Sequence, residues 1–311
     1  MYEPTCLIGE NVAGLGQGMR KLGIALIVAS LLAGCGGEIA GGSAGMDGSG
    51  GSAGAGGTAG VGGTGGIAGS GGTGGAGGAS GSLMPGMSTL TIAAAGQSRS
   101  VILYVPASVS SGPLPLVIAL HGNGDSASNF IATNGLVSIA DRDGFVLAAP
   151  QGVSQSFVFM GQSINGIDWD AYRSIAQGNI DLPLLDAIRT QLGASGSIDL
   201  HRIFVFGYSQ GGYLSFRYGM DGSAALSCAA VVAASNPLPG SGLVTQAVRK
   251  IPVAMQIGTL DSAISGARAT RDELLANRNP VDYHEVSGAG HVPLPGDINV
   301  PLDFCRMQQL P

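Results

Sequence analysis

Gly207-Tyr208-Ser209-Gln210-Gly211 places a serine between two glycines in the pattern G-x-S-x-G. The pattern alone is weak. Gly41-Gly42-Ser43-Ala44-Gly45 and Gly50-Gly51-Ser52-Ala53-Gly54 match it too, inside a tract of small residues. Context separates the three. Only Ser209 follows a near-continuous apolar run, 203–206, and precedes a helical pattern that opens at Gln210. A serine nucleophile needs that setting. A sharp strand-to-helix turn exposes its hydroxyl, and the glycines let strand and helix approach each other. The next backbone N–H, that of Gln210, then faces the reacting oxygen. The bland alternative is a glycine-rich turn that happens to hold a serine.

A serine hydroxyl needs a base, and the chain has four histidines. His201 sits in Asp199-Leu200-His201-Arg202, which reads as a turn before the nucleophile strand, on the wrong side of the sheet. His284 falls in the middle of a strand pattern, where it packs or faces solvent. His121 precedes Ser209, whereas a nucleophile on such an elbow is followed in the chain by its acid and then its histidine. That leaves His291, in the loop Gly288-Ala289-Gly290-His291, whose small neighbours let the imidazole reach over the sheet. The base needs an orienting carboxylate. Asp261 follows the apolar run 253–257, so the expected order is Ser209, Asp261, His291. The alternative for Asp261 is a turn aspartate. An oxyanion needs two N–H donors. One is Gln210, and the other is expected from Asn123 in the loop His121-Gly122-Asn123-Gly124. His121 and Tyr208, beside these donors in the chain, and Trp169 are the candidates for substrate binding. The Asp168 and Asp170 flanking Trp169 suggest partial exposure; the alternative is a loop residue packed on the core.

The elements that must position these residues alternate between strand and helix. Residues 89–92 and 101–105 alternate apolar and polar and read as antiparallel edge strands. The runs 116–120, 145–149, 203–206, 229–233 and 253–257 are nearly all apolar, as parallel strands buried on both faces should be, and 281–286 is a weaker strand. Helical patterns cover 126–140, 179–192, 210–220 and 267–278, with a short closing helix over 303–310. The expected architecture is an open, mostly parallel sheet flanked by helices. Such sheets bind ligands at the carboxyl ends of their strands. Ser209, Asp261 and His291 each follow a predicted strand.

Leu120-His121-Gly122, the 207–211 elbow, the Asp199–Arg202 turn, Asp261 and His291 together resemble the α/β-hydrolase superfamily over about residues 98–310. Within it the chain looks like secreted esterases related to polyhydroxybutyrate depolymerases and to feruloyl and acetylxylan esterases. The run through Gly212 and the stretch His121–Asp125 also look like the carboxylesterase and acyl-protein thioesterase group. The resemblance implies a serine ester hydrolase that works through an acyl-enzyme without a metal or cofactor, on short-chain or polymeric esters. One departure is Asn123, where such esterases often carry a cysteine or a bulky residue. The segment 151–179 has only Phe157, Phe159, Trp169 and Tyr172 as aromatics and leaves no room for a large lid. The cleft implied is modest and open, suited to small acyl groups or polymer ends. Two rivals remain at this point: a non-catalytic hydrolase-fold lipoprotein that binds polymer surfaces, and a peptidase of the same fold, which would add a propeller or lid to select peptides.

Composition bounds the rest. The chain has 311 residues, 11% of them charged, with net charge −6. Lysine occurs only at Lys21 and Lys250, so there is no basic stripe for nucleic acid. No apolar stretch reaches the roughly 20 residues of a membrane span. No Cys/His cluster has metal-ligand spacing, and the glycine tract lacks the lysine of a phosphate-binding loop. Residues 19–35 read as a secretory signal: Met19-Arg20-Lys21 is basic, 22–32 is apolar, and Leu32-Ala33-Gly34-Cys35 closes it. It resembles a bacterial lipoprotein signal, which implies lipidation at Cys35, a true start at Met19 and a mis-assigned 1–18. The alternative is a core helix that contains a cysteine. Residues 36–82 hold 24 of the 55 glycines and cannot bury enough apolar surface to order. As a coil they reach about 40 Å, a leash from a membrane to a domain at 83–311. That domain is expected outside the cytoplasm, lipid-anchored at the cell envelope or secreted. Its two cysteines, Cys228 and Cys305, are either one disulfide or two buried thiols.

Overall fold

The computed structural model describes residues 82–107, 112–293 and 298–311. The expected signal, Cys35 and leash lie outside them. Among the described residues eight strands form one sheet, with two more in a separate hairpin. In chain order the strands are β1 (Gly86–Ala94), β2 (Gln97–Val105), β3 (Leu114–Leu120), β4 (Val146–Pro150), β5 (Gln155–Phe159), β6 (Gln162–Ile167), β7 (Ile198–Tyr208), β8 (Cys228–Val232), β9 (Val253–Gly258) and β10 (Val281–Val286). The helices are α1 (Ala127–Thr133), α2 (Leu136–Asp143), α3 (Asp181–Gly193), α4 (Gln210–Asp221), α5 (Leu243–Gln246), α6 (Ile264–Ala276) and α7 (Asn299–Arg306), with a 3-10 turn at Ile175–Gln177.

The sheet order is β1-β2-β4-β3-β7-β8-β9-β10. From β4 to β10 all pairings are parallel, and β1 and β2 are antiparallel to their neighbours. Every residue of β3, β4, β8 and β9 is buried, as their nearly continuous apolar sequences require; Gln256 in β9 is the one polar side chain among them. The two faces carry separate cores. One gathers Leu116, Ile118, Val205 and Val231 under α3 and α4; the other gathers Val117, Phe206, Ala230 and Phe130 under α1, α2 and α7. Cys228, at the start of β8, is disulfide-bonded to Cys305 in α7 with Cα atoms 5.3 Å apart.

The structure departs from the expectations in several places, and the closing helix expected over 303–310 lies at Asn299–Arg306. β2 is not an edge strand, because β4 pairs with its far side. The expected helix over 126–140 is two helices, since Gly135 sits at φ +60° between them. Asp199–Arg202 is not a turn ahead of the strand but lies within β7. The ladder to β3 pairs Leu114 with Ile198 and next Leu116 with Ile203, so those four residues bulge out of register. Asp199 holds the bulge by accepting from the His201 N–H and the Arg202 Nε. The β5–β6 hairpin was not foreseen. Its two-residue turn, Met160-Gly161, has both φ angles positive, the geometry tight hairpins need. Asn-Gly would have announced it; Met-Gly does not. This hairpin and the 3-10 turn occupy the segment 151–179 where a large lid was not expected.

Candidate active site

β7 ends at Tyr208 and α4 begins at Gln210, so Ser209 alone makes the corner. Its φ of +53° and ψ of −118° lie outside the regions a side chain ordinarily allows. The ends of the corner are held by the Ser209 N–H donating to Val232 O at 2.9 Å and by the Tyr213 N–H donating to Ser209 O at 3.0 Å. The glycines are steric requirements. A Cβ at Gly207 would lie 2.2 Å from Gly211 O, and one at Gly211 would lie 2.3 Å from Leu120 O. The second contact presses the nucleophile turn against the end of β3, where the loop His121–Gly124 begins.

Two other loops deliver the acid and the base. Asp261 follows β9 and His291 follows β10, and the loops are tied to each other. Leu260 N–H donates to Ala289 O at 2.8 Å and Gly288 N–H to Thr259 Oγ1 at 2.9 Å. Gly258 is needed beneath them, because a Cβ there would sit 2.2 Å from Ala289 O. The result is a continuous relay. Ser209 Oγ is 2.8 Å from His291 Nε2, and His291 Nδ1 is 2.8 Å from Asp261 Oδ2. The carboxylate of Asp261 is fully buried and its other oxygen accepts from the Ala263 N–H at 2.8 Å. An ionised carboxylate only accepts, so His291 Nδ1 carries the proton and Nε2 is left to accept from the Ser209 hydroxyl.

The expected oxyanion donors flank this serine. Gln210 opens α4, so its N–H has no acceptor within the helix. The Gly122–Asn123 peptide is fixed from its carbonyl end. Gly122 O accepts from His121 Nδ1 at 2.8 Å and from the Asp125 N–H at 3.2 Å. In a trans peptide the Asn123 N–H points the opposite way. The loop lies against the nucleophile, since a Cβ on Gly122 would be 3.6 Å from Ser209 Cβ.

Two of the three substrate-binding candidates take other places. His121 is fully buried and cannot meet a substrate. Its Nε2 accepts from the Gly152 N–H at 2.9 Å, so the proton is on Nδ1, and burial holds its pKa below the ordinary value. Trp169 is also fully buried; its indole N–H donates to His121 O at 2.9 Å. The flanking aspartates do not bring it to the surface because they are engaged elsewhere. Asp170 is buried against Arg173, and Asp168 faces Gly124. Tyr208 remains at the site, half-buried, with its ring 5.4 Å from that of His291.

The frame behind the oxyanion loop carries no motif in the sequence. Arg99 and Asp181 form a fully buried ion pair at 3.0 Å, and Arg99 also donates twice to Gln151 O. The next residue, Gly152, donates to His121. Arg99, the one charged residue of β2, is the signal that points there.

Residues 107–299 match the Phospholipase/Carboxylesterase family. This chain belongs to that family. A bifunctional acetylxylan esterase/xylanase, XynS20E of Neocallimastix patriciarum, is 27% identical over 173 residues, 55% of this chain and 22% of that protein. The chain thus spans about a fifth of that relative's length. Among solved structures, a thermostable esterase superposes with a TM-score of 0.53 at 19% identity, over 72% of this chain and 63% of that one. S-formylglutathione hydrolase (FrmB) of Staphylococcus aureus does so with a TM-score of 0.53 at 14% identity, over 71% and 96%. At such identities the likeness bears on the fold, which is that of the α/β-hydrolases. The family match falls in the carboxylesterase group, the second of the two likenesses seen in the sequence.

Proposed function

We propose that the protein is a serine ester hydrolase that works through an acyl-enzyme. The observation that carries this reading is the 2.8 Å and 2.8 Å relay from Ser209 through His291 to a buried Asp261, on a backbone corner strained at the serine. His291 Nε2 takes the Ser209 proton as Oγ attacks the ester carbonyl. The Asn123 and Gln210 N–H groups receive the oxyanion, each worth about 2.7–4 kcal/mol of transition-state stabilisation by analogy with similar donors. His291 then protonates the departing alcohol. Water, deprotonated by the same nitrogen, releases the acid and restores Ser209. Asp261 holds the imidazole in the tautomer both half-reactions need.

Short-chain esters and the ends or side groups of polymeric esters are the substrates that suit a site with a hairpin rather than a large lid beside it. Membership of the carboxylesterase group and the likeness to an acetylxylan esterase favour acetyl and similar small acyl groups. The lipoprotein-like Leu32-Ala33-Gly34-Cys35 and the glycine tract that follows favour work outside the cytoplasm on a tether. Fluorophosphonate labelling of the full chain tests the chemistry. Label mapped to Ser209 and absent from Ser209→Ala is expected, followed by turnover of acetyl, butyryl, hydroxybutyryl or feruloyl esters. Folded protein that takes no label would overturn the reading.

A further inference from the structure

The segment Asp168-Trp169 joins the two halves of the oxyanion site, yet no step of the chemistry uses it. Asn123 Oδ1 accepts from the Asp168 N–H at 3.0 Å. Gln210 Oε1 accepts from the Asp168 N–H at 2.8 Å and the Trp169 N–H at 3.1 Å. The side chains of both expected oxyanion donors therefore grip one peptide segment. Asp168 grips back, since its Oδ2 accepts from the Gly124 N–H at 2.6 Å. Behind it there is no slack. A Cβ on Gly152 would lie 2.9 Å from Asp168 Cβ and 3.1 Å from His121 Cε1.

We infer that Asp168 is a positioning residue for the oxyanion hole. Gly124 follows Asn123 and sits at φ +75°, with nothing within 4 Å of where a Cβ would stand, so hydrogen bonds rather than side-chain packing hold the outer end of that loop. The Asp168 carboxylate fixes that end, as His121 fixes the Gly122 end. With both ends held, the Gly122–Asn123 peptide keeps one orientation, with its N–H opposite Gly122 O. The bond also occupies the Gly124 N–H, so the hole presents two donors and not three. An N–H to carboxylate bond is charge-assisted and stronger than a neutral one, which suits a loop that must not yield as negative charge develops beside it.

This inference rests on the ester-hydrolase reading, and the experiment separates the two. Wild type, Asp168→Ala and Asp168→Asn are assayed on p-nitrophenyl acetate, and phenylboronic acid serves as a tetrahedral anion that binds the serine. Asp168→Ala should lower kcat about 10- to 100-fold, the scale of a misplaced catalytic group, with KM changed less than about two-fold. Boronate affinity should fall in proportion to kcat/KM. The pH dependence of kcat/KM should keep its shape, because the relay through His291 is untouched. Asp168→Asn keeps an oxygen for Gly124 and should recover most of the rate. If the alanine variant does not fold, Asp168→Ser, too short to hold Gly124, takes its place. A folded variant without the carboxylate that keeps wild-type kcat and boronate affinity would overturn the inference. So would an asparagine variant as impaired as the alanine one. A wild type that hydrolyses no ester would overturn the ester-hydrolase reading itself.

Discussion

Gly211→Ala adds one methyl group at the tightest point between the nucleophile turn and the oxyanion loop. That Cβ would meet Leu120 O at 2.3 Å, His121 O at 2.5 Å and Leu120 C at 2.7 Å. All three atoms are backbone, so no side chain can swing aside. Bringing the closest contact out to the 3.0 Å floor of real Cβ atoms requires α4 and β3 to part by about 0.7 Å in a close-packed core. Overpacking on that scale costs about 3 kcal/mol, at the upper end of the usual range. For a domain of this size the melting temperature should fall by about 6–12 °C. The same movement carries Ser209 and the Gln210 N–H away from the Asn123 N–H. Displacements approaching 1 Å cost up to about 100-fold in rate, so kcat should fall about 10- to 100-fold. Thermal melts and ester turnover measured on one preparation check both numbers. Gly112→Ala is the control, because a Cβ there meets nothing within 4 Å. A Gly211→Ala protein that melts with wild type and keeps kcat within two-fold would show that the two backbones are not held in contact, and the steric account of the motif would be wrong.

Two further outcomes are expected. Replacing both Cys228 and Cys305 by alanine opens a loop of sequence separation 77 and should lower stability by about 2–4 kcal/mol, read from urea unfolding; an unchanged midpoint would mean that α7 needs no tether. Stability should also fall as pH drops through 6.5. Burial lowers the His121 pKa in the folded chain, while the unfolded chain binds a proton near the ordinary 6.5. The unfolded state then holds more protons, so acid favours it until the folded value is reached. His121→Asn should flatten the fall of melting temperature as pH drops below about 6.5, relative to wild type. An identical slope in the variant would place the titration elsewhere.

Local chemistry made much of this protein legible in advance. Strands buried on both faces must be nearly all apolar, so 116–120, 229–233 and 253–257 declared themselves. The relay residues sit directly after strands, and chain order then chose His291 among four histidines. Only the tertiary structure could settle what depends on distant partners. In sequence His121 looks like a site residue because it opens the oxyanion loop, and Trp169 because its flanking aspartates suggest exposure. Burial turns them into supports, since Gly152 and the Trp169 indole take up the polar atoms that a substrate would have used. Asp168 is one acidic residue among many in the sequence. Its meaning comes from Asn123, Gly124 and Gln210, which lie more than 40 residues away along the chain and within hydrogen-bond reach in space. Sequence patterns report the face a residue needs. The fold alone decides which backbone groups arrive there to meet it.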